Sequence, residues 1–575
     1  MTTSLVDAES VLAVDLGSQA TRASLFDVVD GQYSFIASGS SPTTLEAPYR
    51  DVGESVSQAI MRMQTITGRQ ILGKEGKVIL PSQVNGSGVD RLVITYSAGP
   101  SVRLVAAGLL NEVSLGSVHR LVGSVYGDIT ENIGLNDRRK PADQIDAILK
   151  ADPNLILIAG GTEGGASRSV YKLVDVINLA CRVLPQDRRP EIIYAGNQAL
   201  AQRIKDNLEK LTKITVVPNI RPSIDREDLA PAQQVLNQAI TRLRLRDVAG
   251  LEPLAAIATV PPMPTAYAFS RMVQFLSRAL NPLKGALGVD LGNASTAICA
   301  ASSSDLVTRV FPYGMGRGVS NLLDRITPER IQRWLPVLLP LDMVRDYLWQ
   351  KTLLPDLLPQ NSETLAIDQA LARNVLSLAY QQFLSRYPEF DRSMEPILAS
   401  GGIFTHTSTP GQALLMLLDG LQPVGVTTFD LDQNSLASSL GAIAGFNPVL
   451  PVQVMESGAF LNLGTVISPY TEARYGTRVV RARVVYDRGN ETTLEVLQGT
   501  IAVIPVPAGK SASLYLQGLN RTLIDPRAGK SSLNIKVVGG ACGVVIDARG
   551  RPLALPPDDA RRRDLLKKWM MSLGG

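Results

Sequence analysis

One short motif occurs twice in this 575-residue chain, and the two copies lie 275 positions apart. The first copy is Val14-Asp15-Leu16-Gly17 and the second is Val289-Asp290-Leu291-Gly292. Each follows an apolar run and is itself followed, after a few residues, by a second strand-like segment that begins near a threonine. A repeat of this kind predicts two related halves, each starting with a β-hairpin.

A hairpin tip of the form Asp-x-Gly-x-x-x-Thr has the chemistry of a phosphate site. The glycine allows the backbone to approach an anion, and the following NH groups and hydroxyls donate hydrogen bonds to its oxygens. The aspartate can hold Mg²⁺ or the water shell of the ion. One such turn is weak evidence, but a pair predicts a clamp that binds a nucleotide and Mg²⁺.

The rest of the chain supplies further elements in a recognisable order. After the second hairpin, a strand at Ile397 to Ser400 meets Gly401-Gly402, and a helix of small residues spans Ser438 to Gly445. This order resembles the superfamily of actin, sugar kinases and heat-shock chaperone ATPases. The resemblance implies an α/β fold, namely an actin-like two-lobed ATPase built from a duplicated ribonuclease H-like fold.

Several longer segments narrow the resemblance. LVITYSAGPSVRLVAAGLL, PNLILIAGGTEGGASRSV, IIYAGNQALAQRI, VPNIRPSID, PMPTAYAF and the block that starts ASGGIFTHTSTPG look like the MutL family, over roughly residues 9 to 446. That family is named for an accessory protein of adenosylcobalamin-dependent glutamate mutase and is unrelated to mismatch repair. The resemblance implies an ATP-dependent reactivating or assembly factor whose partners are subunits of a cobalamin-dependent mutase.

The resemblance also implies roles for individual residues. Asp15 and Asp290 would position the metal or the attacking water of a weak Mg²⁺-dependent ATPase, and Gly401 and Gly402 would border the adenine and ribose. Arg22 stands where related hairpins often have lysine. The phosphate-binding residues would be Gly17, Ser18, Thr21 and Arg22 in the first hairpin and Gly292, Asn293, Ser295 and Thr296 in the second.

The glycine-rich segment from Gly160 to Gly165 has two interpretations. It follows a predicted parallel strand, and open α/β sheets place ligands at the carboxyl ends of such strands. Glu163 could then orient a hydrolytic water or contact a partner. Alternatively, the segment is only a tight turn between a strand and a helix.

The pattern of strands, helices and punctuation predicts six segments. A first actin-like lobe covers 1–115, with a helix-like stretch at Val102 to Leu110, and an inserted parallel α/β subdomain covers 116–225. A helical connection at 226–283 leads to the second lobe at 284–446. We expect a separate β-rich domain at 447–557, where Asp547-Ala548-Arg549-Gly550 reads as a hairpin turn, and a basic helix at 558–575 that docks on its own chain.

Composition excludes several functions. A net charge of +4 is too small for a nucleic-acid binder, and three scattered cysteines with two histidines, His119 and His406, disfavour zinc sites and most hydrolase chemistry. The absence of a long apolar run and of a basic leader predicts a cytoplasmic protein with no membrane span. The first hypothesis is therefore a nucleotide-driven switch. Two alternatives remain, a self-associating actin-like filament protein and a small-molecule kinase of the same superfamily, although no catalytic base for a kinase stands out.

Overall fold

The computed structural model describes residues 9–280, 283–303, 305–487 and 489–574. By its contacts the chain forms two compact units, one made of residues 10–23 and 39–267 and the other chiefly of residues 24–38 and 268–575. Each unit contains one copy of the repeated motif. The units are described separately below.

The first sheet contains the first predicted hairpin. Its strands are β1 (Val11–Leu16), β2 (Ala20–Val29), β3 (Gln32–Pro42), β4 (Arg91–Tyr96) and the short β10 (Met263–Pro264). β4 lies parallel to β1 and β10 lies parallel to β4, so that the order is β3-β2-β1-β4-β10. The sequence pattern did not predict β10, because two residues carry no periodicity.

The second sheet repeats this order. It is built from β11 (Ala286–Leu291), β12 (Thr296–Ala301), β13 (Leu306–Phe311), β14 (Ile397–Ser400) and β15 (Gly425–Leu431), arranged β13-β12-β11-β14-β15. β11 pairs antiparallel with β12 and parallel with β14, and β15 lies parallel to β14. The matching order confirms the predicted α/β fold, a duplicated ribonuclease H-like sheet of the actin-like type.

The inserted sheet lies between β4 and β10 in the sequence. Its strands are β5 (Val102–Gly108), β6 (Gly127–Gly134), β7 (Leu155–Ala159), β8 (Glu191–Tyr194) and β9 (Ile214–Val216), all parallel, in the order β6-β5-β7-β8-β9. The prediction of a helix at Val102 to Leu110 is therefore wrong. The inserted subdomain, which was expected to begin at 116, begins with a strand at Val102. A strand buried on both faces reads as a continuous apolar run, which periodicity alone does not distinguish from a buried helix.

The segment after 447 is not a separate module. β16 (Leu461–Ser468), β22 (Val544–Asp547) and β19 (Ile501–Ile504) continue the second sheet beyond β15. A further antiparallel sheet is formed by β17 (Arg478–Tyr486), β18 (Glu491–Leu497), β20 (Ser511–Gly518) and β21 (Ser532–Val538), in the order β18-β17-β20-β21. The expected independent domain thus shares a sheet with the second half of the repeat.

Helices flank the sheets in both units. In the first part of the chain they are α1 (Val52–Thr67), α2 (Gly116–Val122), α3 (Pro141–Ala151), α4 (Ser167–Val183), α5 (Ala201–Leu208), α6 (Ala230–Asp247), α7 (Leu251–Ile257) and α8 (Thr265–Ala279). The later helices are α9 (Val319–Leu323), α10 (Pro328–Gln332), α11 (Leu341–Leu353), α12 (Ser362–Arg386), α13 (Gly402–Thr405), α14 (Pro410–Leu421), α15 (Ala437–Ile443), α16 (Val449–Glu456) and α17 (Asp559–Ser572). Within the described ranges, none of the helices combines the length and apolar character that crossing a bilayer requires.

A buried charge network joins the C-terminal strands to the helices of the second half. Arg549 donates through Nε and Nη2 to the carboxylate of Asp547 (2.8 and 2.9 Å) and through Nη1 to Asp419 on α14 (2.6 Å). Arg373 on α12 donates to the other oxygen of Asp419 (2.7 Å), and Arg551 donates to Asp547 (2.6 Å). The turn predicted at 547–550 is therefore a buried ionic junction.

The C-terminal helix α17 docks on its own unit, as predicted. Leu565, Leu566 and Trp569 are buried and belong to the core of the second half. The guanidinium of Arg549 lies 4.9 Å from the centre of the Trp569 ring, and the Trp569 indole donates to the Gly499 carbonyl (2.9 Å). Arg561, Lys567 and Lys568 of α17 are exposed, whereas Arg562 is buried and pairs with Asp559.

Candidate functional site

Asp15 occupies the fifth of six positions in β1, where the strand begins to leave the core. Its carboxylate is half-buried, and Oδ1 accepts hydrogen bonds from the hydroxyls of Thr95 (2.6 Å) and Thr265 (3.0 Å). The parallel pairing of β1 with β4 sets Thr95 directly beside Asp15. Oδ2 has no hydrogen-bond partner among the described residues, so one oxygen is held and the other is available.

The tip of the first hairpin is a tight turn that requires glycine. The amide of Gly17 donates to the Ala20 carbonyl (3.0 Å), and a Cβ at Gly17 would lie only 2.6 Å from that oxygen. Thr43, which follows β3, clasps the tip from outside, because its hydroxyl donates to the Gly17 carbonyl (2.8 Å) and its amide donates to the Gln19 carbonyl (2.8 Å).

The second hairpin reproduces this geometry. Asp290 is likewise the fifth of six residues in its strand and is half-buried, and its neighbour on the parallel strand β14 is Ser400. The amide of Gly292 donates to the Ser295 carbonyl (3.0 Å), and a Cβ at Gly292 would lie 2.9 Å from that oxygen. The loop after β13 clasps this tip, since the Met315 amide donates to the Gly292 carbonyl (3.0 Å).

The predicted phosphate-binding hydroxyls fall into two groups. Thr21 is fully buried and bonded to Thr43 and Ser55 (3.1 and 3.0 Å), and Thr296 is fully buried and donates to the Tyr313 carbonyl (2.8 Å). These two threonines hold the hairpins from inside.

Ser18 and Ser295 differ from the threonines in being half-buried. Their hydroxyls form no side-chain hydrogen bond in the part of the chain that the structure describes. The Asn293 side chain is engaged, donating to the Pro355 carbonyl (2.8 Å) and accepting from the Arg317 amide (3.1 Å). The half-buried Arg22 has no ion pair among the described residues.

The two glycines after β14 have different surroundings. Gly401 has φ +130°, and a Cβ there would lie 2.4 Å from the Leu291 carbonyl oxygen, so the fold itself requires glycine. Gly402 has no left-handed backbone, and a Cβ there would meet only the His406 ring, at 3.5 Å. The space above Gly402 is thus available to a ligand.

Asp432 is a buried carboxylate bonded to Ser400 of β14, and the sequence pattern did not identify it. It is fully buried, and its two oxygens accept from the amides of Leu436 and Ala437 (both 2.8 Å) at the start of α15. The Ser400 hydroxyl also reaches its Oδ2 (3.4 Å). An aspartate shortly before a helix of small residues is a capping signal that could have pointed to it.

Glu163 lies on an exposed loop after β7. Its carboxylate accepts from the Asn219 side chain (2.7 Å) and from the Gln198 amide (3.3 Å). Its amide donates to the Pro222 carbonyl (3.0 Å). Among the described residues these partners all belong to loops at the carboxyl edge of the inserted sheet, and none belongs to either hairpin.

The repeated sheet order, with a carboxylate and a glycine tip at the same place in each half, defines the chain as a protein of the actin-like ATPase fold. It belongs to the MutL family, because the model of that family, described as MutL protein, matches residues 11–458.

Known proteins of two kinds are similar to this chain. Protein MutL of Clostridium tetanomorphum is 19% identical over 497 residues, which cover 78% of this chain and 98% of that protein. Among solved structures, the diol dehydratase-reactivating factor in nucleotide-free form is 11% identical with a TM-score of 0.32, covering 76% of this chain and 99% of that one. Xylulose kinase from Bifidobacterium adolescentis is 12% identical with a TM-score of 0.30, covering 79% and 94%.

Proposed function

We propose that this chain binds Mg²⁺ and ATP through both hairpins and acts as a nucleotide-driven switch that reactivates or assembles an adenosylcobalamin-dependent mutase. The observation that carries the proposal is the matched pair of tips, in which a half-buried carboxylate precedes a glycine turn by two residues. A single turn of this type occurs in many folds, whereas the same turn at the same place in two halves supports a shared ligand-binding role.

The hairpin tips fit phosphate groups. The amides of Ser18, Ala294 and Ser295 donate no hydrogen bond to the residues that the structure describes, and the two serine hydroxyls are likewise uncommitted. Such NH groups in a tight turn form a concave anion site. We assign the phosphate contacts to these groups rather than to Thr21 and Thr296, whose hydroxyls are used inside the fold.

The carboxylates fit a magnesium ion that shares its shell with phosphate. No group of three His, Cys, Asp or Glu side chains within the described ranges could hold a metal alone. Mg²⁺ usually keeps several waters and takes one or two carboxylates plus substrate phosphates. Bound in this way, the ion would neutralise phosphate charge.

The protein's own contribution to hydrolysis is orientation. Thr95 and Thr265 fix Oδ1 of Asp15, which leaves Oδ2 to accept a hydrogen bond from a water or a metal-bound water. We assign the same task to Asp290 in the second half. We expect slow hydrolysis, as suits a switch. We do not assign Glu163 to this step, because its carboxylate is used to hold its own loop.

The mutase partner rests on membership of the MutL family. To test it, a cobalamin-dependent mutase inactivated by turnover is incubated with the chain, and the recovered activity is measured with Mg²⁺ and ATP or ADP. We expect recovery with ATP, loss of recovery in Asp15→Asn, and full recovery in the control Asp30→Asn, an exposed turn residue. Recovery that is equal with and without nucleotide would contradict the switch.

Two side measurements separate the other functions. If the protein sediments faster in the presence of ATP than a monomer or a small oligomer would, a filament is favoured. Transfer of the terminal phosphate to an added sugar or polyol would favour a kinase. Under our proposal ATP yields neither result.

A further inference from the structure

Arg244 is a buried cation on α6. Only 4% of the residue is exposed, and its guanidinium lies close to Gly99. A Cβ at Gly99 would lie 2.6 Å from Nη1, and Gly99 has φ +109°, so this approach requires glycine. The absence of a side chain at Gly99 therefore leaves room for the guanidinium of Arg244.

The guanidinium of Arg244 has no hydrogen bond and no ion pair in the part of the chain that the structure describes. The other deeply buried arginines behave differently, since Arg373, Arg549 and Arg551 each donate to a carboxylate. Burial lowers the pKa of Arg244, because desolvation penalises the charged form. A buried charge without a partner costs several kcal/mol, which a fold tolerates only where something offsets it.

An unsatisfied amide side chain lies on the same face of α6. Asn237 is seven residues earlier, two helical turns away, and is 5% exposed, yet neither its amide oxygen nor its nitrogen has a partner. Thr241, between the two, is satisfied, because its hydroxyl bonds with the Tyr96 hydroxyl (2.9 Å) and the Pro262 carbonyl (3.1 Å). This face of α6 is thus polar and incompletely bonded.

Hydrogen bonds place this face beside the first hairpin. The amides of Ser97 and Ala98, which immediately precede Gly99, both donate to the Leu16 carbonyl at the hairpin tip (2.9 Å each). Arg244 and the tip therefore lie at the same carboxyl edge of the first sheet, on either side of one short loop. Asp15 is the residue before Leu16.

We propose that Arg244 is an anion-binding residue that contacts the terminal phosphate group of the bound nucleotide, the planar guanidinium forming two parallel hydrogen bonds with its oxygens. The inference rests on the proposed function, because a nucleotide on the first hairpin brings phosphate to this edge. The same chemistry would accept free inorganic phosphate. Arginine suits a paired contact of this kind, whereas lysine supplies a single point charge.

The test compares Arg244→Met with the wild-type chain in the absence and presence of ligand. Without ligand, we expect an equal or higher melting temperature for the variant, because it removes an uncompensated buried charge. With Mg²⁺ and ATP, we expect at least tenfold weaker binding by calorimetry and a smaller rise in melting temperature. Arg244→Lys should bind with intermediate affinity. Arg242→Met, which removes the Arg242–Glu191 ion pair on the same helix, should bind like the wild type.

The possible failures are distinguishable. A lower melting temperature without ligand, together with unchanged ATP affinity, would show that Arg244 is only structural and would overturn the inference. If the wild-type chain does not bind ATP, the proposed function is wrong, and titration with inorganic phosphate decides the inference alone. Phosphate should then stabilise the wild-type chain and leave Arg244→Met unchanged, whereas an equal response of both chains would overturn it. If Arg244→Met does not fold, the Arg244→Lys titrations give the same decision.

Discussion

Replacing Arg549 by methionine tests whether the C-terminal segment is an integral part of the second half. The arginine is fully buried, bonds with Asp547 and Asp419 and stacks on Trp569. Methionine keeps much of the volume but leaves both carboxylates short of one buried partner. Removing one member of a buried ion pair typically costs about 3–5 kcal/mol.

Hydrogen exchange measures this loss where it occurs. A cost of 3–5 kcal/mol in local opening corresponds to roughly a 150- to 5,000-fold loss of amide protection in β22 and α17. The matched control is Arg481→Met, because Arg481 pairs with Glu495 (2.8 Å) while half-exposed, and such pairs contribute at most about 1 kcal/mol. Protection in Arg549→Met equal to that of the control would refute the reasoning, since it would mean that the network does not hold the segment.

The remaining predictions concern ligand space, pH and truncation. Gly402→Val should abolish binding of a fluorescent ATP analogue at an unchanged melting temperature, whereas Gly401→Ala should lower the melting temperature itself, because of its left-handed φ and the nearby carbonyl. Burial raises the pKa of Asp430 to about 6. The stability that the protein has below about pH 4, where this carboxyl is protonated, is therefore lost as the pH rises through 6. Asp430→Asn should therefore raise the free energy of unfolding by up to about 3 kcal/mol at pH 7.5 and leave it unchanged at pH 4, as thermal denaturation at both values will show. A chain ending at Asn447 should be insoluble or molten by near-UV circular dichroism, because it exposes the β15 edge and leaves Asp419 without Arg549; a soluble, folded product would contradict this.

The repeated fold was predictable because its signal is local. The Val-Asp-Leu-Gly tips stand out in the sequence as a repeat, and the strand before each tip is a short apolar run. The family resemblance then supplied the order of the parts. Gly401 and Gly402 were predicted together, but only the structure shows that the backbone requires glycine at the first position and that the second leaves space for a ligand.

The predictions that proved wrong depended on contacts between residues distant in the sequence. Val102 to Gly108 is an alanine-containing apolar run, and only its pairing with β6 and β7 makes it a strand. Strands β16, β19 and β22 carry ordinary β patterns that do not reveal which sheet they join. The partners of Thr21 and Thr296 are likewise invisible to spacing, since a motif gives the residue type but not the hydrogen bond that already uses it.

A crystal structure with Mg²⁺ and a non-hydrolysable ATP analogue tests the central claim most directly. The account predicts phosphate oxygens within hydrogen-bond distance of the Ser18 amide in the first hairpin and of the Ser295 amide in the second, with the ion near Asp15 or Asp290. Nucleotide bound elsewhere, such as at the glycine-rich loop around Glu163, with both hairpin tips free of phosphate, would contradict it.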